Sequence, residues 1–449
     1  MTSTRWFGRI AGLLAAVAVP AAAAAQTSAP KAPTFARDVA PIFQRSCQNC
    51  HRPESIAPMS LLTYEDARPW ARSIKQKVAA RDMPPWFIDK NIGIRKFKND
   101  ISLSDQEIAT VVNWVDTGAP MGNPSDMPAP LTFPDPAAWQ NGPPDLIVEM
   151  PGEIMVKPNA PDWWGNVLSA GPAVTEDRWI RAAEDKPIKG YQVMHHGTAS
   201  LVDPKEEQEE LEDGAFGAGL VEYSVGKNGD IYPEGTGRLL RAGTYINWNL
   251  HLHAIGKEMP AKVALGLQFY PKGYVPKHVL RDYILGGANE RDLDIPAGES
   301  NVRFDTYVGV KNPTVLTAFE PHMHARGKAE CLEAIYPPGY SGSTRRSGGV
   351  VTEMLNCADR FNFGWLKSYI YADDVAPLLP AGTILHIISW HDNSNGNKQN
   401  YDASNWVGFG NRTMDDMSHI WVGSYEITQD EYEQRVAERK KASQPANRR

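Results

Sequence analysis

Apolar positions along this chain follow two rhythms. As far as about residue 120 they recur at helical spacing. Phe35 to Arg45 reads as a short helix. Tyr64 to Ala80 carries Trp70, Ile74 and Val78 on one face. A third helix starts at Ser104, where Ser104-x-x-Glu107 forms a capping box ahead of Ile108, Val111, Val112 and Val115, and Gly118 and Pro120 end it. From Met121 to Pro144 the periodicity gives way to Pro, Gly and Asn, which marks a domain boundary. Beyond it the pattern changes to short apolar runs bounded by turns. Asp145 to Met150, Val263 to Tyr270 and Thr383 to Ser389 are examples, and they read as strands of β-sandwiches. Pro296-Ala-Gly298 divides this half into two similar lengths. The expectation is a multi-domain chain. A small all-α domain covers 31–125, two all-β sandwich domains cover 145–292 and 293–430, and a frayed polar tail covers 431–449.

Composition fits this plan. A chain of 449 residues exceeds one compact core. Its 42% hydrophobic and 22% charged content is ordinary for a globular protein. A net charge of −7 without a basic stripe excludes a nucleic-acid partner. The first 26 residues read as a cleaved export signal. Arg5 and Arg9 supply the positive end, Ile10 to Val19 the apolar stretch, and Ala21 to Ala25 the cleavage choices before Gln26. No other stretch is long and apolar enough to span a bilayer, so the mature protein is expected in the periplasm with no membrane span.

The chain has four cysteines. Two lie in Cys47-Gln-Asn-Cys50-His51. Thiols at this spacing can each form a thioether to one vinyl group of a porphyrin, with His51 as the proximal iron ligand. There is no second C-x-x-C to complete a zinc site and no thioredoxin-like pattern around the motif. A haem c, and with it a cytochrome c-like domain, is therefore expected. Met83, in the rigid Met83-Pro84-Pro85-Trp86 loop, is the expected distal ligand. Met59 is the rival, only eight residues beyond His51. A Met/His pair fits electron transfer. The remaining pair, Cys331 and Cys357, is expected to form a disulfide in an oxidising compartment.

Of the eleven histidines, three tight groups stand out: His195-His196, His251-x-His253 and His322-x-His324. On a strand, i and i+2 side chains share a face, so the last two groups can each chelate one ion. Adjacent His195 and His196 point apart on a regular strand. They can share an ion only at a strand end or bulge, or through different ring nitrogens. Imidazole suits copper, zinc, iron and nickel, so spacing alone does not choose the metal.

Four segments together carry a resemblance: Val193-Met-His-His-Gly197, Asn249-Leu-His-Leu-His-Ala-Ile-Gly-Lys257, Pro321-His-Met-His-Ala-Arg-Gly-Lys328 and Thr413-Met-Asp-Asp-Met417. Residues 145–427 resemble the copper type II, ascorbate-dependent monooxygenases, the family of peptidylglycine α-hydroxylating and dopamine β-monooxygenase. The resemblance implies two successive jelly-roll-like sandwiches and two copper ions. The first copper would be held by His195, His196 and His251, with His253 as fallback. The second, which binds O2 beside the substrate, would be held by His322, His324 and the thioether of Met417, with Met414 a weaker rival. It further implies hydroxylation of a C–H bond of a small organic substrate, each copper holding one electron. His278, His386, His391 and His419 receive no role beyond structure or surface.

Two positions depart from the peptide-amidating member. Glu320 stands where that enzyme has a carboxylate-gripping arginine, and Trp421 where it has a tyrosine. An acidic residue there repels a carboxylate, which disfavours a C-terminal peptide and allows a cationic or neutral substrate. The fused haem domain stands in for ascorbate as the donor to the first copper, and is itself reduced by a periplasmic electron donor. The competing readings are a non-catalytic haem and copper electron-transfer or copper-binding protein, and a copper enzyme of another reaction type.

Overall fold

A computed structural model describes residues 32–442, except 54, 56, 134–137, 170–173, 203–217, 225–228, 287–290, 339, 341–350 and 411. The export signal expected over 1–26 lies outside the described residues, as does 443–449. No helix among the described residues is long and apolar enough to cross a membrane.

The chain is mostly β, in several sheets, preceded by a helical segment. That segment opens with a π-helical turn, Phe35–Val39, running into the helix Ala40–Ser46. Phe35, Phe43, Tyr64 and Trp114 meet edge to face or tilted at its centre. The stretch expected as one helix from Tyr64 is broken. Tyr64–Ala67 and Ala71–Ala79 are α-helical, with a 3-10 turn at Arg68–Trp70 between them. Pro69 has no N–H to continue the ladder, and the tighter turn changes the angular phase. Ile74 and Val78 stay buried while Trp70 swings out to 46% exposure. The helix Asp105–Asp116 has the expected capping box: Glu107 N–H donates to Ser104 Oγ and Ser104 N–H donates back to Glu107 Oε2.

Two β units follow. In the first, one sheet runs in the order Leu146–Glu149, Met259–Phe269, Arg178–Lys189, Thr236–Leu240, His278–Val279. The second sheet runs Trp163–Ser169, Tyr245–Leu252, Met194–Val202, Ala218–Ser224. Ile180, Ala183, Val263 and Leu265 from one sheet share a core with Ala199, Ile246, Trp248 and Leu250 from the other. In the second unit, Tyr369–Ile370, Ala318–His322, His419–Glu426, Thr314–Leu316 and Leu378–Leu379 form one sheet. Val302–Gly309, Ile384–His391, Gly327–Tyr336 and Val351–Ala358 form the other. Cys331 and Cys357 face each other across two adjacent strands and form the expected disulfide.

Three boundaries differ from the sequence reading. The strand Arg281–Leu285 pairs with His419–Glu426, so the chain enters the second unit just after Val279 rather than at residue 293. Residues 86–98, expected inside the helical domain, form an arm on the second β unit. Asp89 N–H donates to Cys357 O and Ile94 N–H to Leu355 O, and Trp86 and Phe97 pack on Tyr369. The expected tail at 431 instead contains the helix Gln429–Ala442. Glu431 N–H donates to Thr428 Oγ1, and buried Tyr432 anchors the helix to the main core. Thr428-x-x-Glu431 is itself a helix-start signal. Glu431 also accepts from His278 Nε2 at 3.1 Å, and Arg435 donates to Tyr425 Oη at 2.8 Å, so this helix clasps both β units.

Candidate metal centre

The strand Met194–Val202 is irregular at its start. Met194 pairs with Leu252 and His196 with His251, leaving His195 as an extra residue. This is a β-bulge, the device that lets two adjacent side chains turn toward one point. His195, His196 and His251 consequently offer ligand atoms that all lie within 4.8 Å of one another. The cluster can hold a metal ion. His253 is half-buried, its ring 5.8 Å from that of His195, and it is not among the converging three.

Hydrogen bonding fixes the tautomers. The His195 Nε2–H donates to the Gly364 carbonyl at 3.1 Å. The His251 Nε2–H donates to Asp162 Oδ2 at 3.0 Å. Carbonyl and carboxylate oxygens only accept, so in the neutral imidazoles the lone pairs lie on Nδ1. The two Nδ1 atoms face each other at 2.9 Å. Burial, then the neighbouring His251, pushes His195 down to about 4. Burial also holds His196 well below the ordinary value, so neither ring is protonated at neutral pH. Two lone pairs pointed at each other are reconciled by a cation between them, a proton or a metal ion. The donor set therefore fits a metal. Asp162 orients one ligand from behind, a carboxylate–histidine arrangement typical of metal sites, and no motif in the sequence marked it.

The second group is built around Asp416, which is fully buried. Its Oδ1 accepts from the His324 and Met417 amides, each at 2.9 Å, and its Oδ2 from the Arg326 amide at 3.0 Å. Burial alone would raise its pKa. His391, whose Nε2 lies 3.5 Å away, and His324 outweigh that, and the carboxyl is held below its usual range. One carboxylate thus joins the stretch from His324 to Arg326 with Met417. His324 Nδ1–H donates to the Asp415 carbonyl at 3.1 Å, which leaves Nε2 as its lone-pair atom. His322 lies beside it, ring centroids 5.6 Å apart. Burial pushes both His322 and His324 down in pKa. Met417 is buried, whereas Met414 is 60% exposed. His419, given no role from sequence, stacks on His322 at 4.6 Å and 9°. His278, His386 and His391 make structural contacts: His278 with Glu431, His386 with Glu333 and Asp305, His391 with the Met417 carbonyl.

Phe363 lies between the two groups. Its ring centroid is 5.9 Å from His195, 6.0 Å from His251 and 5.5 Å from His324. The same stretch of chain holds Arg360, which donates to the Ala80 and Arg81 carbonyls next to Met83. It also holds Lys367, whose charge acts on Cys50.

The C-x-x-C-H loop lies against the β units. Asn49 and Arg52 line a cavity of about 1060 Å³ that also reaches His196, His322, Met417 and His419. His51 Nδ1–H donates to the Met59 carbonyl at 3.2 Å, leaving Nε2 as its lone-pair atom. Met59 is thus on the Nδ1 side of the ring. Burial raises Cys47 to about 12 and also raises Cys50. Thiols held protonated in this way are unlike the low-pKa thiols of redox dithiols. Met83 lines a second cavity, of about 540 Å³, with Val78, Leu103 and Ile108. Arg45, two residues before Cys47, borders both cavities.

No family model matches the chain, and no curated protein matches it. Among solved structures, a chain from the T13 IBDV viral particle aligns at 11% identity. The alignment covers 65% of this chain and 76% of that one, with a TM-score of 0.17. A likeness at that level says nothing of fold or function.

Proposed function

We propose that this protein is an exported, copper-dependent monooxygenase. It hydroxylates a C–H bond of a small organic substrate with O2, using electrons that enter through a covalently attached haem c. The observation that carries the reading is the pair of facing Nδ1 atoms of His195 and His251 beside His196, with a second imidazole group just across Phe363. His195, His196 and His251 hold one copper. His322, His324 and Met417 hold the other, a soft thioether favouring Cu(I). Cys47 and Cys50 carry the haem, and His51 and Met83 ligate its iron. Each β unit is then one jelly-roll-like sandwich of the copper type II monooxygenase kind. The coppers supply one electron each and activate O2. The protein's own contribution is to fix the ligands. Asp162 and Gly364 hold the first set in one tautomer. Asp416 holds the His324 and Met417 segments together. Phe363 packs against rings of both sets. The cavity shared by the haem loop and His322 keeps donor and acceptor within one fold, which raises the effective donor concentration.

Metal analysis of the purified, exported protein tests this: one iron and two coppers per chain are expected, with a haem c absorption spectrum. Reduced protein mixed with O2 should oxidise haem and copper together and consume oxygen when a substrate is present. Tight copper binding with no oxygen uptake under any condition would instead favour the electron-carrier alternative. A haem that stays reduced while the coppers turn over would remove the haem from the path.

A further inference from the structure

The inward face of the strand Gly327–Tyr336 carries one residue out of keeping with its neighbours. Glu330, Leu332 and Ala334 alternate onto the same side. Leu332 and Ala334 are fully buried in the main core, and Glu330 is just as buried. A carboxylate at such a position is costly unless hydrogen bonds compensate it. A local rule broken in this way is expected where function requires it. Glu330 Oε2 accepts the His322 N–H at 2.9 Å. This bond spans the crossing where the chain leaves one sheet at His322 and joins the other at Gly327. Within that crossing, every second amide from His322 to Arg326 donates to a buried carboxylate: His322 to Glu330, and His324 and Arg326 to Asp416. The His322 ring has less support than the others. His195, His251 and His324 each give a ring N–H to a protein oxygen. His322 makes no side-chain hydrogen bond among the described residues, and its ring stacks on His419. Its place is therefore set from the backbone side.

We infer that Glu330 is a positioning residue for the second metal set. By holding the His322 amide, it fixes the strand end from which the His322 ring reaches the ion shared with His324 and Met417. The role belongs to the acceptor oxygen, not to the charge or the volume of the side chain. It rests on the copper reading above. The contact between Glu330 and the His322 amide does not.

Three full-length variants separate these properties. Glu330→Met keeps a similar volume and removes the acceptor. Glu330→Gln loses the charge and keeps an acceptor oxygen. Glu330→Asp keeps the charge but draws the oxygens back by one methylene. In metal-free protein, hydrogen exchange is followed at the His322 amide. Exchange is expected to be about tenfold or more faster in Glu330→Met and Glu330→Asp, and near wild type in Glu330→Gln. Copper(I) is then titrated anaerobically against a chelator of known affinity. Wild type should take two ions. Glu330→Met and Glu330→Asp should bind one of them about 10- to 100-fold more weakly, and Glu330→Gln should keep the wild-type value. His322→Ala should weaken that same ion and leave the one at His195, His196 and His251. Unchanged exchange in Glu330→Met would overturn the contact. Faster exchange with both copper affinities unchanged, or an equal copper loss in Glu330→Gln and Glu330→Met, would overturn the positioning role. A wild type that takes a single copper, with exchange still responding to Glu330, would remove the second copper and the role with it, and leave the amide contact standing. If Glu330→Met does not fold, the contrast between Glu330→Gln and Glu330→Asp carries the same decision.

Discussion

Asp416 Oδ1 accepts the amide protons of His324 and Met417 at the same distance, 2.9 Å. A single buried oxygen therefore sets the spacing between a histidine and a methionine that are 93 residues apart in their numbering, as His324 and Met417 are.

Asp416→Asn should uncouple the two segments. An amide in that place turns an N–H2 toward an amide donor and leaves His391 without its carboxylate. The expected cost is about 3–5 kcal/mol of stability, by denaturant titration. Metal held at His322 and His324 should be lost while metal at His195, His196 and His251 is kept. Loss of both in parallel would contradict the assigned local role.

Acid should weaken the fold in a definite window. His195 titrates at about 4 in the folded protein against 6.5 for an ordinary imidazole. Between those values the unfolded chain binds more protons, so stability is full above about pH 6.5 and falls as the pH drops toward 4. His195 alone contributes about 3 kcal/mol to that fall. His196, His322 and His324 shift in the same direction. Thermal melting across this range checks it, and a flat profile would be the contrary result. Copper added at neutral pH should raise the melting temperature, and should raise it less in His195→Ala.

Asp162→Asn keeps the shape beside His251 but removes the carboxylate that holds its Nε2 proton. Affinity of the first cluster for copper or zinc should fall about 10- to 100-fold, with little change in melting temperature of the metal-free protein. Competition with a chelator of known affinity measures it.

Glu431 gathers His278, Lys277 and Arg435 at the start of the last helix. Glu431→Ala leaves Lys277 and Arg435 without their carboxylate and the His278 Nε2–H without its acceptor at a partly buried junction. A loss of about 2 kcal/mol or more is expected, together with faster proteolysis near Gln429. Unchanged denaturation would show that Tyr432 alone anchors the helix.

Much of the site could be read from the chain. The neighbours His195 and His196 demanded an irregular strand, and the strand is irregular between Met194 and His196. His322 and His324 lie side by side although the strand ends at His322, while the i, i+2 rule did not bring His253 in with His251: the strand ends at Leu252 and only His251, the residue chosen, joins the cluster. Asp162, Gly364 and Phe363 were not legible, because each reaches the histidines from a stretch with no periodicity or motif of its own. His419 was missed for a related reason: its role comes from being opposite His322 in the register, which only strand pairing reveals. In the fold, local signals such as the Ser104 cap were reliable. The arm at 86–98 and the sheet assignment of Arg281–Leu285 depend on partners far away in sequence, and apolar spacing carries no address for those.

The early crossing of Arg281–Leu285 into the second unit has a practical meaning for anyone dissecting this molecule. A fragment cut at residue 293 would leave one piece with a dangling apolar ribbon and the other with an exposed, unzipped border, an invitation to aggregate. Severing the chain beside Leu280 respects the seam, and the two halves should then be co-expressed rather than studied apart, because the closing helix grips both.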